Sequence, residues 1–135
     1  MPRTTPISHL MTTKVHALHV GARLSEVRQL LRKERCHHVP ILDGERLVGI
    51  VSSRDLIALL QGSAVAASTD IDALLDRSSL ADVMSRQLVT MGPDEHVERA
   101  IDLIGDGRLH SVLIVDERGH LLGIVTDSDL LAYLG

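Results

Sequence analysis

The chain has no tryptophan and no phenylalanine, and its only tyrosine is Tyr133. A nucleobase bound here has no aromatic platform to stack on and would have to lie against aliphatic walls. Cysteine is as scarce: Cys36 stands alone, which excludes an internal disulfide and fits a reducing compartment. An excess of basic residues is missing too. Lys and Arg number 14 against 18 Asp and Glu, for a net charge of −4 and a pI near 6.0, so neither nucleic acid nor an anionic membrane is expected as a partner. Apolar runs stop at about ten residues, short of the roughly 20 that span a bilayer. The first residues lack the apolar centre of a secretory leader, so a cytoplasmic location is expected.

What is present is a globular composition and a repeat. With 44% hydrophobic and 24% charged residues over 135 positions, the chain has the makings of a core and the length of one ordinary domain. Gly49-Ile50-Val51-Ser52-Ser53-Arg54-Asp55 returns as Gly123-Ile124-Val125-Thr126-Asp127-Ser128-Asp129, each followed by a leucine-rich run. Both stretches read as a strand giving way to a helix. The hydroxyl of Ser52 or Thr126 falls at the junction, where it can cap the helix beside backbone N–H groups that favour an anion such as phosphate. Asp55 and Asp129 follow three residues later, and a carboxylate there suits a vicinal diol such as ribose. The same pair at the same spacing also makes a capping box that binds nothing, so one copy alone does not decide.

Along the chain, residues 1–6 read as a loose lead-in and Ile7 to Met11 as a single apolar turn. Val15 to Leu18 is a short strand candidate, and Ala22 to Glu34 a helix with Leu24, Val27, Leu30 and Leu31 on one face. His38 to Leu42 is an apolar strand that turns through Asp43-Gly44 into Arg46 to Val51, a hairpin signal, and a helix from about Ser53 to Leu60 ends near Gly62. A shift of 73 positions repeats the unit: Met11 falls on Met84, Leu24 on Val97, His37 on His110 and Val39 on Val112. One extra residue in the turn Asp116 to Gly119 moves the shift to 74, which sets Gly49 on Gly123 and Asp55 on Asp129. The expected organisation is a lead-in and first repeat over 1–62, a linker over 63–78 with a short helix at Ile71 to Leu75, and a second repeat over 79–135.

Two such units resemble the tandem cystathionine-beta-synthase (CBS) domain pair, or Bateman module, over roughly residues 7–60 and 79–134. The resemblance rests on Asp82-Val83-Met84 before the first strand, Val39-Pro40-Ile41 in the second, and both glycine-to-aspartate stretches. It implies an α/β (α+β) fold of two β-α-β-β-α repeats packed through their sheets about a pseudo-twofold axis, with two clefts that take adenosine-containing ligands. Carried over by position, it implies one site from His16, His37, Ser52, Arg54 and Asp55, and a second from Val89, His110, Thr126, Ser128 and Asp129. His38 is implied as a phosphate contact across the neighbouring cleft, where relatives often carry arginine. Arg54 adds a cation near one phosphate and Asp127 an anion near the other, so the Asp55 site is expected to bind more tightly.

No catalytic set emerges, and the chain is expected not to be an enzyme. Its eight histidines lack ligand spacing for a metal, Gly105-Asp106-Gly107 reads as a helix end, and Cys36 aligns with Leu109 as a small core or pocket-edge residue. No obligatory cofactor is expected. The expected function is a sensor of AMP, ADP, ATP or, as further options, NAD or S-adenosylmethionine, signalling to a regulated protein that the sequence does not name. The alternative is a structural homodimerisation module that binds no nucleotide. Either way a homodimer is expected, because Leu56 to Leu60 and Leu130 to Leu134 are apolar on every side, beyond the stripe that packing on one sheet uses.

Overall fold

The hairpins expected at Asp43-Gly44 and at Asp116 to Gly119 are both present in the computed structural model, which describes residues 4–61, 70–107 and 109–134. Gly62, where the second helix was expected to end, and the first part of the 63–78 linker lie outside the described residues. The first copy runs β1 (Leu18–His19), α1 (Leu24–Glu34), β2 (His38–Asp43), β3 (Arg46–Ser52) and α2 (Ser53–Leu60). Two short helices follow, α3 (Ile71–Leu75) and α4 (Leu80–Val83). The second copy then runs β4 (Thr90–Met91), α5 (Val97–Gly105), β5 (Ser111–Val115), β6 (Leu121–Thr126) and α6 (Asp127–Leu134).

Each copy forms a three-stranded sheet in chain order, the first pair of strands parallel and the second antiparallel. The turn between β2 and β3 needs Gly44, whose φ of 63° is left-handed backbone that side chains disfavour. One strand expectation is corrected. Val15 to Leu18 does not form a strand; β1 holds only Leu18 and His19, because its sole partner is β2, which it meets at Ile41 and Leu42. Val15 is instead tied by its N–H to the Thr13 carbonyl. Helix α1 also starts two residues late, where the Arg23 N–H donates to Glu26 and closes the helix end.

Packing divides the chain differently from its repeat. His16–Gln87 makes one compact unit, and the described residues up to Val15 pack with Leu88 onwards in the other. In the first unit the sheet carries Leu24, Val27 and Leu31 of α1 together with Leu75, Leu80 and Met84 from the stretch after α2. The 63–78 segment is therefore not a bare connection: Leu75 is fully buried, and Asp76 accepts hydrogen bonds from the Ser25 N–H (2.9 Å) and hydroxyl (2.7 Å) at the start of α1. In the second unit Ile7, in a 3-10 turn over Ile7–His9, is fully buried with Met91, Val97, Val112, Ile114 and Val125.

Candidate functional site

In the first copy, the antiparallel register sets His38 opposite Ser52 at the end of β3. The chain enters α2 there, and the Ser53 N–H donates to the His37 carbonyl at 3.0 Å, so both histidines lie beside the helix start. Ser52 keeps an extended backbone (φ −109°, ψ 164°), and its hydroxyl accepts from the Asp55 N–H at 3.3 Å. Asp55 closes the loop: its Oδ2 accepts from the Ser52 N–H at 2.8 Å and the Ser52 hydroxyl at 3.1 Å. The capping box is thus formed, and it fixes which carboxylate oxygen faces the backbone. His37 and Arg54 are exposed at the same end. His16 lies two residues ahead of β1 rather than within a strand, and its Nε2 is 3.3 Å from Glu34 at the end of α1.

The second copy repeats the plan with one addition. Ser111 lies opposite Thr126, and the Asp129 Oδ2 accepts from the Thr126 N–H (2.9 Å) and hydroxyl (3.2 Å). His110 is exposed just before β5, and the Val89 carbonyl takes the Leu113 N–H, so both lie at the Thr126 end of the sheet. Ser128 is exposed, and its N–H is taken by the neighbouring Asp127 carboxylate. The addition is Thr12, whose hydroxyl donates to Asp129 Oδ1 at 3.1 Å.

Thr12 was missed in the sequence, although a signal was there. The shift that sets Met11 on Met84 also sets Thr12 on Ser85, a second hydroxyl pair. Both residues bridge to the glycine-to-aspartate stretch: Thr12 exchanges two backbone bonds with Ile124, and Ser85 exchanges two with Ile50. The glycines exist for this approach. A Cβ on Gly123 would lie 2.8 Å from Met11 Sδ and 2.9 Å from the Thr12 carbonyl, and one on Gly49 would lie 3.1 Å from the Ser85 carbonyl.

Two open concavities, of about 730 and 460 Å3, flank the loop Gly92 to Glu95. The larger is at the far end of β4 and β5, and neither is lined by any residue of the sequence-derived sites. Cys36 is half-buried, and that burial, with the charge of Glu34, pushes its thiol above the usual range, away from thiolate chemistry. Among the described residues, no group of three His, Cys, Asp or Glu side chains could hold a metal ion, and no helix is long and apolar enough to cross a membrane.

The family model and the solved structures point to one family. The chain matches the CBS domain twice, over residues 7–62 and 80–135, and it belongs to that family as a tandem pair. A homoserine O-acetyltransferase from Methanohalophilus mahii is 32% identical over 130 residues, which is 96% of this chain but 24% of that protein. This chain spans about a quarter or less of the first curated relatives it matches. Among solved structures, the CBS domain pair of protein MJ0100, in complex with 5′-methylthioadenosine and S-adenosyl-L-methionine, superposes with a TM-score of 0.81 at 23% identity over 97% of this chain and 96% of that one. CBSX2 in complex with AMP superposes at 0.79 and 21% identity over 96% and 95%. At these identities the fold is what is shared.

Proposed function

We propose that this chain is a regulatory module, not itself catalytic, that binds an adenosine-containing ligand and passes the resulting change of conformation to a partner protein. The carrying observation is the carboxylate at each helix start, held in one orientation by its Ser or Thr cap beside a strand that begins with His38 in the first copy and directly after His110 in the second. In this reading Asp55 and Asp129 hold the ribose, Ser52 and Thr126 with Arg54 and Ser128 approach the phosphate, and His16 with His37, and Val89 with His110, wall the base. Support comes from the AMP complex of CBSX2 and the S-adenosyl-L-methionine complex of the MJ0100 pair.

A thermal-shift screen with AMP, ADP, ATP, NAD and S-adenosylmethionine tests it. A true ligand at 100 times its dissociation constant stabilises the fold by about 2.7 kcal/mol, which for a chain of this size raises Tm by roughly 10 °C. No shift with any of the five would favour the second reading, a dimerisation module without nucleotide. That reading has its own support, since both capping boxes are complete without a ligand and Ile57, Leu131 and Leu134 are exposed.

A further inference from the structure

The two aspartates differ in how much of their carboxylate is left to a ligand. An ionised carboxylate offers about four acceptor positions over its two oxygens. In both copies Oδ2 is used up by the backbone N–H and hydroxyl of the capping residue. Among the described residues nothing donates to Oδ1 of Asp55. Oδ1 of Asp129 takes the Thr12 hydroxyl. A vicinal diol donates two hydrogen bonds, and Asp55 Oδ1 has both positions for it while Asp129 Oδ1 has one.

Thr12 is also held in place. Its N–H donates to the Ile124 carbonyl at 2.8 Å, and its carbonyl accepts from the Ile124 N–H at 3.0 Å, so the side chain hangs from a fixed backbone. Ser85, held by the same two bonds to Ile50 (3.0 and 2.9 Å), makes no side-chain hydrogen bond among the described residues. The copies are therefore alike in backbone and unlike in this one contact. We propose that Thr12 is a specificity-determining residue that stands in for a diol hydroxyl at Asp129, weakening ribose binding in the second copy and leaving the first as the stronger ribose site. The proposal rests on the ribose role given above to the aspartates.

The test is calorimetric titration of the full chain with AMP and, in parallel, S-adenosylmethionine, both of which carry the 2′,3′-diol. The unaltered chain is expected to take one equivalent. Thr12→Val keeps the side-chain shape and the backbone bridge but removes the donor, and a second equivalent should appear within about tenfold of the first in affinity. Thr12→Ala serves if the valine variant does not fold. The second equivalent should vanish with 2′,3′-dideoxyadenosine monophosphate in place of AMP. If folded Thr12→Val and Thr12→Ala keep one unchanged equivalent, or if the unaltered chain already binds two equivalents equally, the Thr12 proposal is overturned and the ribose reading survives. If the dideoxy compound binds as well as AMP, if Asp55→Ala leaves affinity unchanged, or if neither probe binds, the ribose reading fails and takes the Thr12 proposal with it.

Discussion

A carboxylate three residues past a helix cap serves the fold before it serves a ligand. Removing Asp55 takes away two acceptor contacts at the start of α2, so Asp55→Ala is expected to destabilise the unit by about 1 kcal/mol, measured by urea denaturation, without unfolding it. The same substitution should weaken AMP binding more than Asp129→Ala does. Equal effects in calorimetry would remove the asymmetry between the copies. Asp76 carries a different expectation. Burial alone would raise its carboxyl, but the two hydrogen bonds from Ser25, with the charge of Arg23, more than offset this and hold it below its ordinary 3.8. Its folded-state pKa is thus lower than its unfolded one, so its contribution is full above 3.8 and is lost as pH falls through the depressed value. Asp76→Asn should flatten the acid limb of a stability-against-pH curve below about pH 4; an unchanged limb would show that other carboxylates dominate it.

At the scale of elements, the packing role of the stretch after α2 can be measured. Leu75→Ala removes a fully buried side chain from the core of the first unit and should destabilise by about 2–5 kcal/mol, whereas a passive linker residue would change stability by less than about 0.5 kcal/mol. Much of the architecture was legible because hydrophobic period, turn glycines and the doubled motif all pointed the same way: both hairpins, α2 and α3 fall where the sequence put them, and α1 begins two residues later. The β1 strand was not, because two residues of parallel pairing leave no period to read. Of the candidate sites, the adjacency of His37, His38 and Ser52 followed from hairpin register alone. Thr12 did not, because its partner Asp129 is 117 positions away and only tertiary pairing with Ile124 brings it there. The motif glycines were visible as repeated letters, but their cause, a second chain segment lying against the backbone, was not.

For the whole molecule, the exposed leucines decide the expectation about assembly. Leu131 and Leu134 on α6 are 70% and 59% exposed, and Ile57, which the repeat sets on Leu131, is 69% exposed. Large aliphatic side chains at equivalent places on both closing helices are what a twofold interface between copies of this chain would cover. Light scattering at micromolar concentration is expected to give twice the 14.7 kDa of one chain, and Leu131→Glu to return it toward one. A mass near 14.7 kDa for the unaltered protein would overturn the dimer.

The crossing of the opening segments bears on where such a chain can be cut. Ile7 is buried against Val97 and Val125 of the second copy, while Met84 is buried against the core of the first, so each copy borrows its opening arm from the other. A fragment ending before the second copy would expose the groove that Gly49 leaves for Met84, and one beginning there would leave Gly123 without Met11. Cut at the repeat boundary, each half would lack part of its own core.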